Sequence, residues 1–223
     1  KTQHTHTHFV IMTFLHSLSD IINKFTQYLP MSQSRETRKY TPKCSRSGSR
    51  IPIEREVTQR NLDKLTELFH QKVDRCRLIM ELGVCRNGEE SFTWVFLNNK
   101  RDETKYLGVD IDDKSFLDDP RKKIHTIQTD TMNQELVRSK IKDLGEERID
   151  ILFIDGWHSV NATVNDWKYA NLLAYDGLVF IHDTNCHPGP VCVFDAVDEG
   201  LFHKQKFFTN EPDWGLAVLQ RIH

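Results

Sequence analysis

The sequence predicts an α/β fold: a doubly wound, mostly parallel sheet with helices on both faces. Short apolar, β-branched runs alternate with amphipathic stretches of ten or more residues from residue 54 onward. Connections of that length favour right-handed crossovers between parallel strands. Two further strand-like runs lie near the end of the chain. In an open sheet of this kind, ligands bind at the carboxyl ends of the strands, near the topological switch point.

Each element follows from the spacing of its apolar residues. Apolar residues three and four apart, such as Leu62, Leu65 and Phe69, indicate helices, and continuous apolar runs indicate buried strands. The predicted helices are Glu54–Lys72, Glu89–Leu97, Asn133–Leu144, Ala162–Leu173 and Val193–Leu201. The predicted strands are Arg77–Leu82, Tyr106–Asp110, Ile124–Gln128, Ile149–Ile154, Leu178–Ile181, Lys206–Thr209 and Leu216–Ile222.

The composition, with 38% hydrophobic and 28% charged residues in 223, is typical of a soluble globular protein. No stretch approaches the ~20 apolar residues of a membrane helix, so no membrane partner is expected. Residues 1–60 hold ten Lys and Arg against four Asp and Glu, and the rest of the chain is acidic. Because basic charge is confined to the front, a nucleic-acid partner is not expected. Five cysteines without CxxC spacing favour a reducing, cytoplasmic setting.

Two regions of the chain differ in composition and in the spacing of their apolar residues. Residues 1–53 are predicted to form an N-terminal extension, with an amphipathic helix at about 13–29 and a basic flexible linker at about 31–50. The helix serves either a partner or the flank of the domain that follows. That domain is predicted to span residues 54–223.

The first strand ends in a glycine-containing turn that runs from Glu81 through Gly83 to Gly88. Glycine lets the backbone approach a ligand closely, and the free N–H groups of the next helix point to the same place. A dinucleotide fingerprint needs Gly where Cys85 stands, and a P-loop needs Lys and Ser or Thr directly after Gly88. The segment is therefore either a site for a ligand without phosphates or simply a tight turn.

Acidic residues follow the second and third strands. Asp110 is placed to accept both ribose hydroxyls of an adenosine, and Asp112 is either a second such acid or a capping or solvated one. After the third strand, Thr129, Asp130 and Thr131 either meet the adenine amino group or cap the next helix through Asp130 or Thr131.

The ends of the fourth and fifth strands carry the most information. Asp155 and Asp183 each follow a buried apolar strand, and they converge if those strands are neighbours ~4.8 Å apart. Two carboxylates with Thr184 or Asn185 suit Mg²⁺ or another divalent cation. His158 lies three residues after the first of these acids.

Two nearby features are interpreted as structural. His182 precedes Asp183, so strand alternation is expected to turn its side chain to the opposite face of the sheet. The segment Cys186–Cys192 contains Pro-Gly-Pro and matches no common zinc spacing. We expect it to be a loop over the site.

Taken together, these strand ends resemble the class I S-adenosylmethionine-dependent methyltransferases, and most closely their small-molecule O-methyltransferase group. The likeness spans roughly residues 77–221 and includes the motifs Ile154–Ser159 and Asp176–Thr184. Gly215–Leu219 looks like the antiparallel last strand of that group, which makes the predicted sheet Rossmann-like. The sequence departs from the group at three positions, which are Asp176 for Gly, Thr184 for the Asn of metal-dependent relatives, and His158 for their Lys.

The resemblance implies a methyltransferase that uses S-adenosylmethionine on a small-molecule or sugar hydroxyl, with Mg²⁺ or another divalent cation as a candidate second cofactor. His158, whose side chain has a reference pKa of about 6.5, is the expected general base. The implied catalytic residues are His158 and Asp155. The implied cofactor-binding residues are Glu81, Gly83, Gly88, Asp110, Asp130 and Asp155. The implied metal ligands are Asp155, Asp183 and Thr184.

Two other functions stay open on the sequence alone. Asp110 and Asp112 have the DxD form of a nucleotide-sugar glycosyltransferase that holds a metal and a diphosphate. A non-catalytic binding protein on a methyltransferase fold would use the helix at 13–29 as its partner surface. The identity of the acceptor and the formation of a homo-oligomer are also open.

Overall fold

The centre of the molecule is a seven-stranded sheet. The structure, a computed structural model, describes residues 57–85, 91–209 and 213–222. The strands are β1 (Leu78–Leu82), β2 (Lys105–Asp110), β3 (Ile124–Gln128), β4 (Ile149–Ile154), β5 (Leu173–His182), β6 (Phe202–Phe207) and β7 (Leu216–Arg221). Their order is β3-β2-β1-β4-β5-β7-β6. The first five strands are parallel, and β7 is antiparallel to β5 and β6. The predicted fold class is confirmed.

Helices cover both faces of this sheet. They are α1 (Gln59–His70), α2 (Phe92–Asn99), α3 (Gln134–Asp143), α4 (Val160–Trp167) and α5 (Pro188–Ala196). Apolar residues of α1 and α2 share one core with one face of the sheet, and apolar residues of α3, α4 and α5 share a second core with the other. The result is the three-layer arrangement that an α/β fold requires.

Strand alternation explains how one apolar strand serves both cores. In β4, Leu152 and Ile154 belong to the core of α3–α5, whereas Ile151 and Phe153 belong to the core of α1 and α2. Phe153 packs edge-on against Phe96 with ring centroids 5.5 Å apart. Burial of one such side chain contributes roughly 1.5–3 kcal/mol. The continuous apolar sequence of β4 therefore reflects burial on both sides.

Side-chain caps fix where most of the helices begin. Thr58, Ser91, Asn133 and Ser159 each accept a hydrogen bond from a backbone N–H in the first turn of α1, α2, α3 and α4. Such caps satisfy N–H groups that have no partner within the helix. As a result α1 begins five residues after its predicted start at Glu54, and it ends at His70.

The predicted boundaries near the end of the chain are wrong at two elements. The helix expected at Val193–Leu201 is α5, which begins at Pro188, because proline is well tolerated in the first turn of a helix. The second half of the expected Cys186–Cys192 loop is therefore helical. The strand expected at Lys206–Thr209 is β6, an edge strand whose polar His, Lys and Gln residues mask its apolar pattern.

A buried carboxylate joins the start of α1 to the loop before β7. Asp213 is fully buried and accepts hydrogen bonds from the Thr58 hydroxyl and the Asn61 amide, both at 2.9 Å. The Gly215 amide donates to the same side chain at 2.8 Å, and the Arg60 guanidinium lies 3.4 Å away. These donors replace the water that a buried carboxylate loses.

The N-terminal extension predicted at residues 1–53, with its helix at 13–29 and linker at 31–50, lies outside the described residues. The domain boundary at residue 54 stays a prediction. Within the described part of the chain, no helix combines the length and the apolar character that a bilayer crossing requires.

The switch point of the sheet lies between β1 and β4, where the chain order reverses. Just beyond it, Gly83 has φ +84°, and a Cβ atom there would lie 2.2 Å from the carbonyl oxygen of Asp155. The Asp155 amide donates to the Leu82 carbonyl at 2.8 Å. Only glycine permits this conformation together with so close an approach.

We expect Gly83→Ala to lower the free energy of unfolding by more than about 3 kcal/mol, because it adds a backbone clash to the strain of a positive φ. Gly145→Ala is the matched control, since Gly145 has φ +74° but its nearest neighbour to a Cβ is the Lys105 amine at 3.8 Å. The control should lose only about 1 kcal/mol. Urea unfolding of both variants checks this, and equal losses would contradict it.

Candidate active site

The strand ends bring the predicted residues to one edge of the sheet. Gly83 contacts the backbone of Asp155, and the Val84 amide donates to Asp110 Oδ2 at 2.7 Å. Asp183 directly follows β5, the neighbour of β4. The residues expected to act together follow β1, β2, β4 and β5, and they therefore lie along one edge of the sheet. We call this edge, which carries Gly83, Asp110, Asp155 and Asp183, the rim.

Glu81 lies beneath this rim rather than on it. Its carboxylate is buried and accepts hydrogen bonds from the Thr93 hydroxyl at 2.8 Å and from the Tyr106 hydroxyl. Burial raises the pKa of Glu81 to about 8, although both hydrogen bonds act in the opposite direction. Its contacts tie β1 to α2 and β2. Gly88, the other end of the predicted turn, lies outside the described residues.

Asp110 is held in a fixed orientation at the end of β2. Oδ1 accepts a hydrogen bond from the Asp112 amide at 2.8 Å, and Oδ2 accepts the one from Val84. Lys114 Nζ lies 4.0 Å from Oδ2. Asp112 itself is exposed. Backbone donors thus preorganise one carboxylate beside the β1 turn.

Two large apolar side chains on the rim are open to solvent. Ile111, directly after Asp110, is 68% exposed, and Trp157, two residues after Asp155, is 74% exposed. Exposed apolar residues beside polar groups are typical of a ligand-binding surface. Sequence analysis did not single out Ile111, although an apolar residue between two acids was the available signal.

Asp130 is exposed at the end of β3, and its Oδ1 accepts a hydrogen bond from the Met132 amide at 2.8 Å. The alternative in which Asp130 or Thr131 caps the next helix is wrong, because Asn133 is the cap of α3. Asp130 therefore closes a local turn.

Two aspartates and two histidines form a cluster at the ends of β4 and β5. His182 Nδ1 lies 3.1 Å from Asp155 Oδ1 and 3.0 Å from Asp183 Oδ1. His158 Nε2 lies 2.6 Å from Asp183 Oδ2 and 3.8 Å from Asp155 Oδ1. His182 and Asp183 are buried, and His158 and Asp155 are partly so.

The charges in this cluster shift one another's pKa values. Burial acts to raise the pKa of Asp155, but His182 and His158 outweigh it and lower the value to about 2. Burial acts to lower the pKa of both histidines, but the two carboxylates outweigh it and raise each value to about 9. The two carboxylates therefore favour the protonated form of both imidazoles.

The expectation that His182 faces away from Asp183 is wrong. Strand alternation stops at His182, and Asp183 adopts φ +62°, which turns its carboxylate back toward the imidazole. A positive φ in a residue other than glycine is uncommon and is often found at functional sites. The motif alone does not reveal this reversal.

The next two residues, Thr184 and Asn185, have different surroundings from Asp155 and Asp183. Thr184 is buried, and its hydroxyl oxygen has no hydrogen-bond partner among the described residues. The Asn185 amide donates to the carbonyls of Phe208 and Asp213 at 3.0 and 3.2 Å, so it holds two loops together.

A wall of rings continues from the cluster toward α5. The imidazoles of His158 and His187 stack nearly parallel, with centroids 4.3 Å apart and planes inclined by 16°. Trp214 lies against His187, with centroids 5.1 Å apart. The Gly189 amide donates to the His158 carbonyl at 3.1 Å, so the first turn of α5 supports this segment.

One further carboxylate lies behind the rim. Asp166, on α4, is fully buried, and neither of its oxygens has a hydrogen bond of normal geometry within the described residues. Its Oδ2 lies 3.2 Å from the position of a Cβ on Gly156. Burial raises the pKa of Asp166 to about 7, an effect that the Thr131 hydroxyl only partly offsets.

Comparison with known proteins identifies the arrangement. Residues 80–184, just under half of the chain, match a family model described as a methyltransferase domain. Over those residues the chain is similar to a methyltransferase domain. The match runs from within β1 to just past the end of β5 and includes the whole His–Asp cluster. It confirms the resemblance to S-adenosylmethionine-dependent methyltransferases.

Solved structures share the fold of this chain at low sequence identity. The MycE methyltransferase of the mycinamycin biosynthetic pathway, in complex with Mg, SAH and mycinamycin VI, has a TM-score of 0.55 and 17% identity over 72% of this chain and 49% of its own. CalS11, a TDP-rhamnose 3′-O-methyltransferase of calicheamicin biosynthesis, has a TM-score of 0.54 and 13% identity over 74% and 81%. A putative rRNA methylase from Clostridium thermocellum has a TM-score of 0.51 and 14% identity over 71% and 96%.

The chain thus spans about half the length of MycE. No curated protein sequence gives a significant match. At these identities, the solved structures establish the shared fold and nothing finer.

Asp166 predicts a pH dependence of stability. Its pKa rises from an ordinary 3.8 to about 7 on folding, so the folded state holds a proton that the unfolded state has lost between these values. This contribution is present below pH 4 and is lost as the pH rises through about 7, at roughly 1.4 kcal/mol per pKa unit as an upper bound.

We therefore expect Asp166→Asn to be more stable than the wild type at pH 8, with the difference shrinking toward pH 4. Thermal unfolding across that range measures it. Asp143→Asn, an exposed change on α3, is the control and should follow the wild type. An Asp166→Asn variant that is equally destabilised at every pH would contradict the assignment.

Proposed function

We propose that the protein transfers a methyl group from S-adenosylmethionine to a hydroxyl of a small molecule or sugar. The observation that carries this proposal is the cluster of His158, Asp155 and Asp183 on the same rim as Gly83 and Asp110. The methyltransferase family match over that region supports it. The descriptions of CalS11, a TDP-rhamnose 3′-O-methyltransferase, and of MycE, in complex with mycinamycin VI, support a hydroxyl acceptor of that class.

The cofactor is proposed to lie across the ends of β1, β2 and β4. Asp110, fixed by two backbone donors, is oriented for the ribose hydroxyls. The exposed side chains of Ile111 and Trp157 offer apolar surface for the adenine. Gly83 allows the β1 and β4 turns to meet beneath it, and Asp130 is proposed at the adenine end. Glu81 supports the turn from below, since its carboxylate is occupied by Thr93 and Tyr106.

S-adenosylmethionine supplies an electrophilic methyl group on a sulfonium. His158 is proposed to accept the proton of the acceptor hydroxyl as the oxygen forms its bond to the methyl carbon. The carbon–sulfur bond breaks with its electron pair remaining on sulfur, which gives S-adenosylhomocysteine and a methyl ether. Alignment of oxygen, carbon and sulfur supplies much of the rate, so the ring wall of His158, His187 and Trp214 is proposed to orient the acceptor.

The residues present fit a divalent cation next to this base. Asp155 and Asp183 direct oxygens to a common point, and Asp183 Oδ1 is buried without an aligned hydrogen bond. A bound cation would lower the pKa of the acceptor hydroxyl and orient it. It would also weaken the attraction that keeps a proton on His158. Thr184 is retained as a candidate ligand, because its buried hydroxyl has no partner among the described residues.

The glycosyltransferase alternative needs Asp110 and Asp112 to hold a metal together. Both Asp110 oxygens already accept backbone hydrogen bonds, one of them from Asp112 itself, so the geometry favours ribose recognition. The non-catalytic alternative leaves the buried His–Asp cluster without a role. We therefore favour the methyltransferase, with a cytoplasmic location and a small-molecule acceptor as parts of the proposal.

Cofactor binding is the first test. S-adenosylhomocysteine should bind the full chain in isothermal titration calorimetry and raise its melting temperature, because a ligand stabilises the folded state it binds. UDP or GDP should do neither beyond the effect of Mn²⁺ alone, which is measured in parallel. Asp110→Ala should weaken S-adenosylhomocysteine binding at least about tenfold, a loss of ~1.4 kcal/mol.

Asp113→Ala is the matched control for this test, since Asp113 is exposed in the same loop and bonds only the Ser115 amide among the described contacts. It should bind like the wild type. Stabilisation by UDP or GDP with Mn²⁺ beyond that given by Mn²⁺ alone, without an effect of S-adenosylhomocysteine, would overturn the proposal.

The base is tested separately. His158→Ala and Asp155→Asn should lower turnover about 10²- to 10⁴-fold on whichever hydroxyl acceptor a panel of sugars and phenols identifies. S-adenosylhomocysteine binding should survive in both. His203→Ala, on the exposed side of β6, serves as the control. Wild-type rates in both site variants would show that the roles are wrongly assigned.

A further inference from the structure

The donor atoms of the cluster are not all oxygens. Two groups of three side chains have ligand atoms within 4.8 Å of one another. The first is Asp155, His182 and Asp183, and the second is His158, Asp183 and His187. Both contain at least one imidazole, and the described cluster offers only two carboxylates. This composition bears on which cation the site accepts.

The second group is poorly arranged to bind one ion. The rings of His158 and His187 are nearly parallel, with planes 16° apart and centroids at 4.3 Å. The lone pair of an imidazole nitrogen lies in the plane of its ring, so lone pairs of stacked rings run side by side and do not converge. His158 and His187 are therefore better described as the wall of the acceptor pocket than as joint ligands.

The first group is better arranged. His182 Nδ1 is nearly equidistant from Asp155 Oδ1 and Asp183 Oδ1, at 3.1 and 3.0 Å. Such separations are close to those between neighbouring ligands around a small divalent ion. His182 is 2% exposed, and its ring is fixed against Phe92 with centroids 4.9 Å apart. Its nitrogen therefore cannot easily turn away from an ion held by the two acids.

We propose that Asp155, His182 and Asp183 bind a divalent transition cation in preference to Mg²⁺, with Mn²⁺ as the paramagnetic probe. Mg²⁺ prefers an all-oxygen octahedron and usually keeps several waters. Imidazole is a good ligand for transition cations, whose affinity for nitrogen sites exceeds that of hard cations. This inference rests on the proposed function for its biological meaning, and it departs from the Mg present with MycE.

Binding a cation through Nδ1 of His182 has a cost in free energy. With Nδ1 bound to a cation, the ring proton lies on Nε2, which is buried and has no hydrogen-bond partner within the described residues. An unpaired buried N–H costs about 1–3 kcal/mol. The metal–nitrogen bond must exceed this cost, which a hard ion such as Mg²⁺ does less readily.

The experiment uses the full chain with Mn²⁺ and Mg²⁺ in the presence of S-adenosylhomocysteine. Loss of the free Mn²⁺ signal in electron paramagnetic resonance gives its affinity, and competition gives that of Mg²⁺. We expect Mn²⁺ to bind at least about tenfold more tightly. Because oxygen sites also favour Mn²⁺ to some degree, pulsed measurements must detect a directly bound ¹⁴N, which ¹⁵N-histidine labelling replaces.

Two variants identify which histidine supplies the nitrogen bound to Mn²⁺. His182→Asp makes the donor set all oxygen, so the nitrogen coupling should vanish and the Mn²⁺ preference should fall several-fold. His187→Asn is the matched control and should retain both. Loss of the coupling in His187→Asn with retention in His182→Asp would overturn the assignment in favour of the second group.

The wild-type protein decides the question even where His182→Asp does not fold. Absence of a bound nitrogen, or equal affinity for the two cations, overturns the inference. Binding of S-adenosylhomocysteine is read in the same samples by calorimetry. If S-adenosylhomocysteine binds while Mn²⁺ shows no nitrogen ligand, the metal inference fails and the proposed function stands. If the nitrogen is present and S-adenosylhomocysteine does not bind, the proposed function fails and the metal site stands.

Discussion

The close contact between the turns after β1 and β4 is the constraint on which the site depends. A Cβ on Gly83 would lie 2.2 Å from the Asp155 carbonyl oxygen, so the two turns touch through backbone atoms alone. This contact fixes Asp155 relative to Val84, and the Val84 amide in turn fixes Asp110. The proposed cofactor and cation sites therefore share one rigid base, as preorganised catalysis requires.

The sheet was predictable from the sequence because its central strands are buried on both faces. Ile149–Ile154 has the predicted bounds, since its apolar run ends where the rim begins. The edge strand β6 was misplaced because edge strands carry polar residues that hide their periodicity. The first turn of α5 was missed because Pro-Gly-Pro is typical of a loop, whereas this helix tolerates proline before its hydrogen bonds begin.

The site was predictable wherever a role depends on the end of a strand, as for Asp110, Asp155 and Asp183. It was not predictable where a role depends on a single backbone angle. The φ of +62° at Asp183 returns its carboxylate to the side of His182, and strand alternation gives the opposite answer. Ring stacking of His187 on His158 likewise depends on where α5 begins, which short motifs do not encode.

The buried carboxylate of Asp213 has a consequence for the chain that precedes α1. Thr58 and Asn61 are tied to Asp213, and the next residue, Trp214, touches His187. The chain therefore enters the domain beside the wall proposed to hold the acceptor, at the far side of the rim from Asp110. A displacement of Thr58 would therefore reach the wall of His158, His187 and Trp214 before it reached Asp110.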